Sequence, residues 1–547
     1  MNKNIFLLLV TAILVSCFGL NSFAGLHLGL PSAIKDGVRE LKIEKENKDA
    51  TNHVPGITSL TANPASITIN SATTVTCTAF DPDNDPLTYI WSAATGTFSG
   101  SGSQITWTAP ATIGSHTISC TVADNREGTA RQSVTITVAA TVAAQAWTKL
   151  LGTSQDDEGC DVTADSAGNI YFTGYTKSGL EGNTPQALQD VFISKYDATG
   201  SSLWTKQFGS SYNEKGLGVA VDQSNNVFIT GYTYGNIDNV IDDPAGSFNQ
   251  GASDIFLVKY DSNGTKVWSA QFGTNSYDES NGVVTDSSGD IYITGFTERA
   301  LDGNIAAGEY DIFITKYNTS CNRVWTKQFG TTATDKAYGI AIDSSDNIYI
   351  TGETWGDLDG NSNRGNSDIF LAKYTFNGTR VWTRQLGSSA ADVGVGVATD
   401  ASGNVYITGK TYYDLDDNTS QGEVDTFLAK YDSNGTKLWV EQLGSSASDE
   451  SLGVATDAAG NAYITGWTVG NLDNNTNQGA SDIFLTKYNS TGTKLWTKQL
   501  GTTGSESSSG IITDSAGNIY ISGWTDNNLD DLTNKGAKDI FLIKFTP

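Results

Sequence analysis

From about residue 55 onward, apolar and polar positions alternate over runs of four to eight residues, broken by Gly, Asn, Asp and Ser. That is the pattern of strands joined by tight turns. The runs fall into two groups. Those at 66–69, 74–78, 88–91 and 133–138 read as a small β-sandwich over 55–140. The rest, over 145–547, are one unit written seven times. Its period shows in Trp147, Trp204, Trp268, Trp325, Trp382, Trp439 and Trp496, spaced by 57 residues, once by 64, with the extra residues near 241–247. Each unit holds four strand-like runs, in the fourth unit 339–343, 347–352, 368–374 and 381–385. Four strands, seven units and no helical period predict an all-β protein: a seven-bladed β-propeller preceded by a sandwich. The last unit stops before its Trp run, and an orphan copy of that run stands at 146–152. Pairing the two predicts closure of the seventh blade from both ends of the array.

Ahead of the sandwich, Lys3 precedes an apolar run at 5–15, too short to span a bilayer. It ends in Leu14-Val15-Ser16-Cys17, which resembles the lipobox of bacterial lipoproteins. The resemblance implies a signal peptide over 1–17, acylation of Cys17 and a lipid-anchored place in the cell envelope. Cleavage after Ala24, giving a secreted protein, is the alternative. Residues 18–54 mix both charge signs without an apolar face and read as a flexible tether.

Charge narrows the partners. Lys and Arg number 33 against 60 Asp and Glu, a net charge of −27, which argues against nucleic acid. The three histidines are His27, His53 and His116, so the repeats hold no imidazole for a catalytic triad or a zinc site. Cys77, Trp91 and Cys120 have the spacing of an Ig-like core, in which a buried Trp packs on a disulfide, and a Cys77–Cys120 bond is expected in an exported protein. The run from Asp81 to Tyr89 resembles PKD-like and related bacterial Ig-like modules. Asp81, Asp83 and Asp85 alternate as calcium ligands do, yet we read them as an acidic turn. Cys160 reads as a small buried hydrophobe. Cys321, where other units have Gly378 or Gly435, reads as an exposed thiol.

Runs such as 482–488 followed by 492–496 resemble the bacterial SBBP β-propeller repeat. The resemblance implies an exported or envelope protein and carries no catalytic residues. The stretch 432–439 also resembles the tryptophan-docking motif of quinone-dependent propellers, one residue shorter; we read its Trp as a lock between blades.

Two acidic positions recur in every unit. Asp157, Glu214, Asp278, Asp335, Asp392, Asp449 and Glu506 stand ten residues past each Trp and are expected to form a ligand face. The long loops carry Glu181, Asp238, Asp302, Asp359, Asp416, Asp473 and Asp530. Spacings such as Asp357-x-Asp359-x-Asn361, Asp414-x-Asp416-x-Asn418 and Asp302-x-Asn304 make these loops calcium candidates, the one cofactor the sequence suggests. The expected function is non-enzymatic binding or adhesion at the cell surface, with a protein or glycan held at the acidic loop face. A carboxylate-based glycoside hydrolase or lyase and an envelope-assembly scaffold are the competing readings.

Overall fold

The computed structural model describes residues 52–186, 188–237 and 251–547. The lipobox with Cys17, most of the tether, and Asp238 with the insertion lie outside the described residues. The chain divides into two compact units at Ala139/Ala140.

The first unit is a sandwich of two four-stranded sheets. One has the order Gly56–Asn63, Ala72–Phe80, Gln104–Thr108, Thr97–Ser101; the other Ser66–Thr68, Thr129–Ala139, Gly114–Ala123, Thr88–Ala93. Alternating inward residues build its core, among them Val75, Trp107, Ile118, Val122 and Ile136. Two expectations need correction. The fully buried tryptophan is Trp107; Trp91 is half-buried and donates its indole N–H to the Gly102 carbonyl. Cys77 and Cys120 are buried free thiols, hydrogen-bonded to each other, so the expected disulfide is not formed. The sheets meet there through packing and that thiol contact.

The second unit is a ring of seven antiparallel four-stranded blades. Blades 1 to 6 span 157–208, 214–272, 278–329, 335–386, 392–443 and 449–500. Blade 7 takes three strands from 506–546 and its fourth, Ala144–Leu151, from the start of the unit. Lys544 pairs with Trp147 there in the register Lys430 and Trp439 keep within blade 5. Closure is therefore by the first strand, as the sequence predicts.

Within a blade the second and third strands, such as Ile348–Thr354 and Asp368–Tyr374, are buried almost throughout. The first strand bulges once, between Ala337 and Gly339 in blade 4. The bulge carries the Lys336 carbonyl to within 1.9 Å of where a side chain on Gly352 would begin, so only glycine fits opposite it.

Blades lock through the Trp strand. Trp382 donates its indole N–H to the Ser433 carbonyl in the next blade's hairpin, and Lys373 donates to the same oxygen. Gly435 of that hairpin, at φ +79°, lies flat on the Trp382 ring. The same contact joins Gly200 to Trp147, Gly264 to Trp204, Gly378 to Trp325 and Gly492 to Trp439.

Candidate functional site: the mouth of the propeller channel

The seven carboxylates expected to face a ligand are instead buried. Asp157, Glu214, Asp278, Asp335, Asp392, Asp449 and Glu506 all have 0% relative exposure. In blade 5, Asp392 accepts the Ser388 backbone N–H at 2.6 Å and the Ser388 hydroxyl at 2.9 Å, closing the link from one blade to the next. Thr153, Ser210, Thr274, Thr331, Ser445 and Thr502 do the same for the other six. Burial pushes all seven carboxyls above their ordinary range. They are fold devices.

The long-loop carboxylates turn inward on their own blades. Asp302, Asp359, Asp416, Asp473 and Asp530 each adopt a left-handed backbone, with φ between 50° and 58°. This turns each carboxylate back onto the outer strand of its own blade. Asp302 pairs with Arg323 at 3.1 Å, Asp359 with Arg380 at 2.7 Å, and Asp416 and Asp473 with Lys437 and Lys494 at 2.5 Å. Asp530 instead accepts from Gln145 and Thr148. Asn304, Asn361 and Asn418 donate their amides to the Leu301, Leu358 and Leu415 carbonyls. Asp357 and Asp414 accept backbone N–H groups of Asn363 and Ser420. Among the described residues no three of these loop carboxylates converge. Each of these loop side chains has a partner within the protein.

One position further along the inner strand, the units stop resembling one another. Glu158, Lys215, Glu279, Lys336, Val393, Glu450 and Ser507 occupy it in turn. Opposite them on the second strand stand Tyr175, Tyr232, Phe296, Glu353, Lys410, Trp467 and Trp524. The inner strands of successive blades pack on one another around the axis. These pairs therefore ring the channel mouth, one residue inside the buried carboxylates.

Their side chains interlink across blades. Glu158 receives Lys538 of blade 7 at 2.6 Å and faces Lys215 of blade 2 at 3.7 Å. Lys538 lies 3.6 Å over the Trp524 ring, and Lys336 lies 4.5 Å over Phe296 and 4.3 Å over Tyr310. Tyr338 and Trp355 both donate to Glu353, at 2.7 and 3.2 Å, and Lys410 pairs with Glu450 at 3.1 Å. Burial raises the Glu279 carboxyl against the pull of Lys336 and Lys215. The loops above add exposed rings: Tyr234, Tyr277, Trp355, Tyr412 and Tyr413.

Below the mouth, Asp161 stands where the other units have Gly218, Gly282, Gly339, Gly396, Gly453 and Gly510. It accepts the backbone N–H of Val219 in the next blade at 2.9 Å, and burial pushes its carboxyl up to about 7. Cys160 beside it is half-buried, its thiol pushed up to about 11 by burial. Sequence reasoning missed this set because it followed what recurs. The signal was the reverse: a strand position inside a strict repeat that changes charge sign and ring content from unit to unit.

The second unit is thus a sevenfold shell whose inner-strand starts carry an asymmetric set of charged and aromatic side chains. The chain belongs to the family of SBBP β-propeller repeat proteins, seven copies of the repeat matching at 146–181, 203–238, 267–297, 324–359, 381–416, 438–473 and 495–530. A bacterial Ig domain matches at 52–137. Among curated proteins, the uncharacterized WD repeat-containing protein L264 of Acanthamoeba polyphaga mimivirus is 23% identical over 70% of this chain and 36% of its own length. Regulatory protein FlaEY of Caulobacter vibrioides is 22% identical over 61% of this chain and 39% of its own. The chain thus spans under two fifths of the length of these relatives. Similar solved structures include an auxiliary nutrient binding protein from Bacteroides thetaiotaomicron (13% identity, 91% of this chain and 99% of that one, TM-score 0.32). Another is the quinone-bound aldose sugar dehydrogenase of Streptomyces coelicolor (10%, 74% and 100%, TM-score 0.32). Likeness at that level carries no argument about what this chain binds.

Proposed function

We propose that this is a cell-envelope binding protein that holds a glycan at the mouth of its propeller channel. The observation that carries the reading is the break in repeat symmetry there: charge and aromatic rings vary only one residue from a position conserved in kind by all seven units. Tyr and Trp faces offer an apolar platform to the C–H face of a sugar ring. Glu279, Glu353, Glu450, Lys215 and Lys410 beside them suit hydroxyl groups, which donate and accept at once. A protein ligand would favour a wider, flatter apolar patch. The lipobox and the bacterial Ig domain support a surface location.

A second reading has one observation behind it. Glu279 and Glu353 lie off the repeat pattern at the same mouth, as carboxylates of a glycan-cleaving enzyme would. Both are tested by probing the full chain against a glycan array and assaying the bound glycans for new reducing ends. Retention without cleavage supports binding alone. Cleavage lost in both Glu279→Gln and Glu353→Gln moves the protein to the enzyme class. No glycan retained, with extracellular-matrix proteins retained instead, overturns the glycan reading.

A further inference from the structure

We propose that the turn at 81–85 in the Ig domain is a calcium site. It starts from an alternation, Asp81-Pro82-Asp83-Asn84-Asp85, with Asn84 at φ 61°. Oδ1 of Asp81 accepts the backbone N–H groups of Asp83 at 2.8 Å and Asp85 at 3.1 Å. These bonds wind the turn so that one carboxylate oxygen from each aspartate lies within 4.8 Å of the others.

Acidic turns are common, and convergence alone makes no site. The second observation is on Asp81 itself. That residue is 9% exposed, and its other oxygen, Oδ2, is buried without a hydrogen-bond partner. A carboxylate oxygen withdrawn from water with nothing donating to it is costly, and folded proteins supply a partner. The neighbouring charges do not supply it. Arg126 stands 3.3 Å from Asp85, and His53 bonds Asp83 through its backbone N–H at 2.7 Å and its ring at 3.0 Å. Among the described residues, three carboxylates thus face one permanent cation.

The donor set is oxygen from three aspartates at alternate positions, which suits a hard, flexible-coordination cation and offers no thiolate or free imidazole to a transition metal. Calcium is the fit, its remaining positions filled by water or backbone carbonyls. The ion would also tie down the start of the domain. Asp83 holds His53, and Asn52 donates to Asp124 at 3.0 Å and to the Arg126 carbonyl at 3.1 Å, so the site and the segment entering the sandwich share one corner.

The test is calorimetric titration of chelator-stripped full-length protein with calcium chloride, in parallel with magnesium chloride. The site predicts saturable heat with calcium. It also predicts at least tenfold weaker binding in Asp81→Asn and in Asp85→Asn, each checked for its native far-ultraviolet circular dichroism. Asp359→Asn, in a propeller loop, should bind as the unaltered chain does. No calcium heat overturns the proposal, as does heat that survives both Ig-domain substitutions or is lost with Asp359→Asn. A magnesium response that calcium cannot displace overturns the assignment of the ion.

Discussion

Exchanging one residue type at a single repeat position should change stability in opposite directions in two blades. The position is the hairpin residue lying on the preceding blade's Trp. Gly435 occupies it at φ +79°, with Trp382 ring atoms 2.9 Å from where a Cβ would stand. Gly435→Ala pays a left-handed backbone cost of about 1–2 kcal/mol. Displacing a packed indole adds about 1–3 kcal/mol. Cys321 occupies the same position in blade 3 at φ 61°, buried rather than exposed as the sequence suggested. The Trp268 indole N–H of the preceding blade is correspondingly buried without a partner. Cys321→Gly relieves about 1 kcal/mol of backbone strain and returns a hydrogen bond worth about 1 kcal/mol. The greater freedom of glycine in the unfolded chain offsets roughly half of that. Unfolding entropy scales with chain length, so 1 kcal/mol moves the melting temperature of this ring by roughly 1 °C. Scanning calorimetry should show Gly435→Ala melting about 2–5 °C lower and Cys321→Gly about 1 °C higher. Shifts of the same sign, or a Gly435→Ala ring as stable as the original, would refute the docking account.

Three further outcomes follow from the fold. Deleting 144–151 removes the fourth strand of blade 7 and exposes the Asp539–Thr546 edge, so size-exclusion chromatography should show aggregation in place of a monodisperse peak. The buried ring carboxyls have raised folded values, so their contribution is full below the ordinary carboxylate range and lost as pH rises through the folded values. In the hairpin aspartates, burial pushes Asp343 and Asp400 up, but the Asn347 and Asn404 donors outweigh it and hold them low; that stabilisation fails only below the ordinary range. Melting temperature should therefore rise as pH falls from neutral towards the ordinary carboxylate range before collapsing in stronger acid; a steady fall on that approach contradicts the burial argument. Asp359→Asn removes a part-exposed ion pair with Arg380 worth about 0–1 kcal/mol, so denaturant unfolding should move little and chelator should leave the propeller's transition where it was.

Much of this was legible along the chain, for physical reasons. Blade count, strand order and closure follow from a repeat whose apolar runs are buried on both faces and leave little alternative pairing. The Trp lock was legible because glycine recurs where an indole must lie flat. The acidic ring misled because a carboxylate beside a turn ordinarily faces water. Its burial depends on a hydroxyl four residues earlier, as in Ser388 and Asp392, a spacing present in all seven units. The pairing of the loop aspartates was not legible because it depends on a single left-handed residue that aims them at Arg380 or Lys437. In the sandwich, the Cys-Trp-Cys spacing pointed at Trp91, but inward alternation places Trp107 in the core. The mouth was hidden because its residues share no motif; only ring closure brings Glu158 beside Lys538, 380 residues away.

The central claim is that ligand docks at the asymmetric mouth and not on the acidic loop rim. The direct measurement is the dissociation constant of the array's strongest glycan for two double variants, each compared with the unaltered chain. Tyr234→Ala with Trp355→Ala strips two exposed rings from the mouth; Asp359→Asn with Asp416→Asn neutralises the rim. Losing stacked rings costs about 1–2 kcal/mol each, so the mouth variant should bind at least tenfold more weakly while the rim variant stays within about twofold. A rim variant that loses binding while the mouth variant keeps it contradicts the account.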